Sequence, residues 1–499
     1  MAMQLFRHSP VSESTLTKSR PCLLELRSST WFITVTAATA IFTDVFLYAV
    51  IVPVFPFSLQ DRIGIDESEI QHWLSVLLSV YGVGLIVFAP FFGWLSDRIN
   101  ERRYVLLGGL VVLGGATVML CLARNLALLI TGRLLQGAAA ASVWVVGLAL
   151  LADTSGEEGA GQAMGYVGLA YSLAALVAPL LGGVVYQNAG YYAVFAMAFG
   201  IIGLDIMMRL ALIEKKVARK WSAEQTAQEV ELDEESARLP DGGPKMKHQT
   251  GPLEDIEIQL SSEVSGRRDS VKRVRPILIL LKSKRMQATF WASTADAILF
   301  TSFDVTLPLF VADTFHWSSL GGGLIFLALL TPTFIQPVFG RFVDKHGPRW
   351  IAVTGFVTCV PPFICLRFIT HNTMGQKVLL CAMLAVIGLG ISLSVAATMA
   401  EFTIICAEKE RKKPGSMGKG GAYAQSYGIF NVSWALGSLV GSYWAGGVRE
   451  AAGWGTMGLS FAILCAIVSV PTCLYIGGSL MESKMWKRYR GHRKSRSRG

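Results

Sequence analysis

Several ionisable side chains stand inside stretches that are otherwise apolar. Asp44 lies in Thr43-Asp44-Val45-Phe46-Leu47-Tyr48-Ala49-Val50-Ile51-Val52-Pro53, with Phe42, Val45, Phe46 and Leu47 as neighbours that make its charge costly to hold. Asp304 stands four residues before Pro308, and Asp296 sits two turns earlier on nearly the same helical face. Arg133 is the basic residue deepest inside the first half, and Glu401 falls late in its apolar run. Asp205 and Arg209, at i and i+4, are spaced to pair with each other. An ionisable group at membrane depth is a functional candidate by default. A carboxyl in such a place can take up a proton on one side and release it on the other. The eight cysteines are dispersed and form no C-x-x-C pair, so neither a metal nor a cofactor is expected.

A second constellation is a charged turn that occurs twice. Gly93-Trp94-Leu95-Ser96-Asp97-Arg98-Ile99-Asn100-Glu101-Arg102-Arg103 separates two apolar runs, and Gly340-Arg341-Phe342-Val343-Asp344-Lys345-His346-Gly347-Pro348-Arg349 separates two more. Glycine lets a neighbouring backbone come close. Asp97 and Asp344 can accept from free N–H groups at a helix start, while Arg98, Arg102 and Arg349 can anchor at lipid headgroups. The expected role is a latch that favours one conformational state.

These groups need long apolar helices to carry them. The chain has 499 residues, 52% hydrophobic and 16% charged, with a mean hydropathy of +0.47. A soluble protein carries about 25% charged residues. The apolar excess falls in blocks of about 20 residues, the length of a membrane-spanning helix. Six spans are expected at 31–57, 71–92, 104–122, 126–151, 162–186 and 191–213, and six more at 288–310, 318–339, 350–370, 378–406, 422–445 and 454–478. The fold class is thus all-α and polytopic, with two pseudo-symmetric six-helix bundles at 31–213 and 288–478. Residues 1–30 form a polar tail and 214–287 a linker too poor in apolar residues to fold alone, with Ser261, Ser262 and Ser265 as phosphorylation candidates. Residues 479–499 form a basic tail suited to anionic lipid. The net charge of +10 lies in loops and tails beside spans, where it orients the chain, so nucleic acid is not an expected partner. Basic loops after spans two, six, eight and ten place both termini in the cytosol. The loop 153–161, with no Lys or Arg, is the exception.

Two six-span halves with a Gly-x-x-x-Asp turn after each second span resemble the major facilitator superfamily. Arg133-Leu134-Leu135-Gln136-Gly137 resembles its R-x-x-Q-G motif. Ala178-Pro179-Leu180-Leu181-Gly182-Gly183 is similar to the G-P-x-x-G-G motif of its twelve-span drug:proton antiporters, with Ala178 in place of the first Gly. Asp44, nine residues before Pro53, and Asp304 before Pro308 resemble acidic residues of the vesicular amine transporters and their fungal relatives. The departure is Asn431, in Ile429-Phe430-Asn431-Val432-Ser433-Trp434, where those relatives carry an Asp; Asn cannot exchange a proton.

The resemblance implies a secondary carrier working by alternating access. It implies proton coupling at Asp44 with Asp304 and Arg133, and a drug-like or secondary-metabolite substrate expelled in exchange for protons. Tyr48, Trp144, Tyr171, Gln336, Tyr427, Asn431 and Trp434 are candidates to line its cavity. The expected partners are a small organic molecule, protons and the bilayer, with the protein a monomer in the plasma membrane or a vacuolar one. A proton-coupled importer of an organic acid or other nutrient shares the same fold, although the sugar-carrier P-E-S-P-R motif is absent. A transport-inactive receptor is the reading from another class. A membrane enzyme has no support: no P-loop, HExxH or G-x-S-x-G stretch occurs.

Overall fold

The computed structural model describes residues 23–51, 54–99, 101–215, 217–219, 221, 276–317, 319–417 and 421–478. The expected basic C-terminal tail, the phosphorylation candidates, Asn100 and most of the expected N-terminal tail and linker lie outside these residues.

The described residues build an all-helical membrane protein. In the first half, α1 is Thr30–Val50, α2 Glu67–Ser96, α3 Arg102–Leu122, α4 Leu126–Ser155, α5 Ala160–Ala189 and α6 Tyr191–Ala211. Starts follow local chemistry: the Ser29 hydroxyl accepts from Phe32 N–H (3.1 Å), and Asn125 accepts from Leu128 N–H (2.8 Å). In the second half, α7 is Lys284–Phe315, α8 Phe326–His346, α9 Pro348–Phe368 and α10 Met374–Lys412. A last helical run, Tyr423–Tyr475, is interrupted at Gly453, whose φ of 83° and ψ of 170° only glycine holds without strain. The chain reverses there. Before it, Gly437 packs on Thr294 and Gly441 on Ile298, so 423–452 (α11) runs parallel to α7. After it, Gly455 lies on Arg367 and Gly477 on Arg349, so 454–475 (α12) runs antiparallel to α9. Splitting this run turns eleven apolar helices into twelve spans.

Boundaries differ from the sequence reading in places. The first span ends at Val50, and Phe55–Ser58 forms a separate short helix. Residues 276–281 are helical, with Leu280 buried, and α7 starts at Lys284, within the stretch read as linker. The apolar Pro276-Ile277-Leu278-Ile279-Leu280-Leu281 sequence explains this: it has a face to bury.

Each half has its own apolar core. That of the second half is built from residues such as Phe303, Phe310, Phe363 and Phe461. That of the first half runs on into Met399, Phe402, Tyr427 and Phe430, so the two bundles are packed together toward the end that carries the basic turns.

The candidate transport site and its gate

Asp44, on α1, is almost fully buried. Its Oδ2 accepts from Trp144 Nε1–H (3.0 Å) and from the Tyr81 hydroxyl (3.4 Å), while its Oδ1 has no hydrogen-bond partner among the described residues. Two local features place those donors. Gly137 on α4 lies directly against the backbone of Tyr81, and Gly84 on α2 against Leu134 and Gly137, so α2 and α4 touch backbone to backbone. Trp144 sits in a widened π-type turn of α4, Val143–Gly147, a distortion frequent at functional sites. Gly182 on α5 lies against the Val50 carbonyl, which brings α5 onto α1. Gly183 has open space around it, and Pro179 sits within α5.

Aromatic rings extend the site. Tyr48, one turn beyond Asp44, packs on Tyr81 with centroids 4.6 Å apart. Trp144 meets Tyr171 edge-on (6.1 Å), and Tyr171 meets Phe300 of α7 (5.8 Å), which crosses between the bundles. Asp304 lies one turn beyond Phe300, exposed, and within electrostatic reach of both Tyr48 and Tyr171. Its carboxylate therefore points into the space between the bundles. Arg133 is fully buried on α4. Its guanidinium covers Phe55 (4.4 Å) and Tyr48 (5.4 Å), and its Nη1 donates to Gln136 Oε1 (2.7 Å). It makes no ion pair with Asp44 among the described residues.

Asp44, Tyr48, Arg133, Trp144, Tyr171 and Asp304 thus form one neighbourhood. Four other candidates fall elsewhere. Gln336 is buried where α8 presses on Gly168 of α5. The Tyr427 hydroxyl is paired with Thr403 (2.8 Å) and donates to the Met399 carbonyl (3.1 Å), beside Met164 of α5. Asn431 Nδ2 donates back to the Tyr427 carbonyl (3.0 Å), and Trp434 packs on Phe430 (5.9 Å). These belong to the seal between the bundles and the packing of α11. Their aromatic and amide side chains carry no sequence signal separating a cavity wall from a seal.

The charged turns join the two bundles. Asp97 Oδ1 accepts from Ala424 N–H (3.2 Å), and Oδ2 accepts from Gln425 N–H (3.1 Å) and Gln425 Nε2 (3.0 Å). It caps the start of α11, in the other bundle. Asp344 does the same to α5, accepting from Gly161 N–H (2.6 Å) and Gln162 N–H (2.9 Å). The glycines permit both contacts: Gly93 lies tightly against Ala424 and Gln425, and Gly340 lies against Gly161 without room for a side chain. Arg102 reaches Asp97 (3.3 Å) and Asp153 (3.2 Å). That pairing explains why the loop after α4 has acidic residues but no basic one. Burial pushes the Asp97 carboxyl up from its ordinary range, and Arg102 with the N–H groups of Gln425 and Ala424 pulls against it. The halves differ in their second basic residue. Arg349 donates to the carbonyls of Ile476 and Gly478 at the end of α12 instead of joining Asp344. Arg98 lies over the Trp94 ring (4.2 Å).

The remaining buried charges pair helices. Arg209 forks onto Asp205 (2.9 and 2.5 Å) and donates to the Leu106 carbonyl (2.6 Å). Arg285 joins Glu401 and Glu408, fixing the start of α7 to the end of α10. Asp296 accepts from Ser394 and Thr398 of α10. Tyr81, Phe300 and Asp153 escaped the sequence reading; only the wide acidic gap at 153–161 hinted at the last.

Two helical bundles that meet through mirrored carboxylate caps, with a buried carboxyl inside the first, fit a membrane carrier. The Major Facilitator Superfamily model matches residues 37–331 and 289–498, and the chain belongs to that family. An uncharacterised MFS-type transporter of Schizosaccharomyces pombe is 35% identical, over 89% of this chain and 95% of its own length. The MFS-type transporter ppzB of Metarhizium rileyi is 29% identical, over 92% and 97%. The solved structure of the human organic anion transporter MFSD10 shares the fold, with a TM-score of 0.63 at 17% identity, covering 89% of this chain and 99% of that one.

Proposed function

We propose that this carrier exports a small organic molecule in exchange for protons, with Asp44 as the coupling group. The supporting observation is its half-bonded state: among the described residues Oδ2 has two donors, Oδ1 has none, and no cation forms an ion pair with the carboxyl. A carboxyl held this way is ready to gain or lose a proton, and rocking of the bundles would move it between two solvents. Asp304, exposed between the bundles, is the second carboxyl on the path. The motif at Pro179, Gly182 and Gly183 favours antiport over uptake, and the chain would sit in the plasma membrane with both termini in the cytosol.

The test is transport by the full-length protein in vesicles under an imposed pH gradient, with ethidium, rhodamine 6G and fluorescein as probes. At least one probe should accumulate against its gradient. Asp44→Asn should abolish uphill movement, with downhill exchange surviving, and Asp44→Glu should keep part of the activity. If Asp44→Asn concentrates the probe at a normal rate, Asp44 is not the coupling group and Asp304 is tested next.

A further inference from the structure

On α4, with Tyr48 between it and Asp44, lies a cluster of donors to which the reading of Asp44 as coupling group gives no partner. Arg133 and Gln136, one turn apart on α4, are both fully buried. Arg133 Nη1 is satisfied by Gln136 Oε1. Arg133 Nε, Arg133 Nη2 and Gln136 Nε2 have no acceptor among the described residues. Polar groups this deep are nearly always paired, and a buried guanidinium normally has an acid beside it. Asp44, the buried acid one turn before Tyr48, is bonded to Trp144 and Tyr81 instead. The unpaired groups are all donors, so the missing partner is an acceptor. The planar fork of Arg matches a carboxylate geometrically. The rings of Phe55 and Tyr48 against the guanidinium supply an apolar, aromatic surround.

We propose that Arg133 and Gln136 form the docking point for the acidic group of the transported molecule, a carboxylate on an aromatic skeleton. Tyr48 separates this point from Asp44, so one ligand can present its acid to Arg133 and a donor to the free Oδ1 of Asp44. The inference names a substrate class and rests on the reading of the chain as a carrier with Asp44 as its coupling group.

The test is thermal melting of the purified full-length protein with benzoate, salicylate and indole-3-acetate, against chloride at matched ionic strength and against methyl salicylate. At least one acid should raise the melting temperature by a few degrees, with chloride and the ester inactive. Arg133→Gln should weaken apparent binding by about tenfold or more, as expected for loss of a charge-assisted fork. Arg133→Lys, which keeps the charge and guards against a folding defect, should lie between. The proposal fails if no acid shifts the melt, if chloride or the ester does so equally, or if Arg133→Gln binds as wild type. Acid binding that depends on Arg133 without pH-driven transport would sink the coupling reading alone. Transport of a probe without acid binding would sink this inference alone.

Discussion

Charge at membrane depth is used here in two ways, and the partners separate them. Asp205 and Arg209 satisfy each other within one helix turn, and the remaining guanidinium donor goes to α3. Breaking such a pair from one side leaves an uncompensated buried charge, at a cost of roughly 3–5 kcal/mol. Asp205→Asn should therefore lower the melting temperature clearly, while any probe transport that survives keeps its dependence on the pH gradient. Unchanged melting would show that the pair contributes little. Asp44 and Arg133 are the contrast, each with a side-chain atom left over. Sequence distinguished these cases only in part. The i, i+4 spacing of Asp205 and Arg209 announces a pair. Nothing local to Asp44 announces Tyr81 or Trp144, because their meeting depends on the crossing of α2 and α4 at Gly84 and Gly137.

At the scale of elements, the gate is two helix starts capped from across the bundle boundary. A helix start offers unpaired N–H groups and the positive end of a dipole, so an approaching carboxylate is held without a dedicated cation. Asp97→Ala removes the acceptor at α11 and one carboxylate partner of Arg102. Transport per surface-expressed molecule should fall severalfold with membrane insertion retained, and normal flux would remove the latch from the mechanism. Gly340→Val is the complementary change. A side chain there strikes the Gly161 carbonyl, so the basic-turn end should stay open and react faster with a membrane-impermeant thiol reagent at a cysteine introduced at Gln162. The repeated Gly-x-x-x-Asp spacing made the turns legible, since the same chemistry was visible twice. Their targets, the starts of α5 and α11, were not legible, because capping across 183 or 328 residues leaves no local pattern. The span merged across Gly453 is the reverse case. Sequence placed two spans there from apolar run length, and the backbone keeps both with a glycine in place of a loop.

On the proposed reading as an alternating-access carrier, the whole molecule is two bundles that move against each other while remaining one chain. Their shared surface near the basic turns is a glycine face on α5, with Gly161, Gly165 and Gly168 against Gln336, Pro337 and Gly340 of α8, and a matching approach of α2 to α11 at Gly93 and Gly428. Small residues let the surfaces close fully and also part without unthreading long side chains. On this scheme the energy that selects a state resides in the caps and in what Asp44 and Arg133 bind. A connection between bundles need only span the distance and stay out of the way. The stretch from Gln228 to Ser265 has the composition for that role, being rich in Glu and Asp and free of Phe, Tyr and Trp. Deleting it still leaves ten residues before Pro276, and added loop length carries little thermodynamic weight. The shortened protein should fold, elute as one species in detergent and melt within a degree or two of wild type. Transport per molecule should be unchanged at steady substrate. A protein that no longer survives detergent would show that this stretch holds the bundles together, and intact folding with lost transport would give it a part in the rocking motion itself.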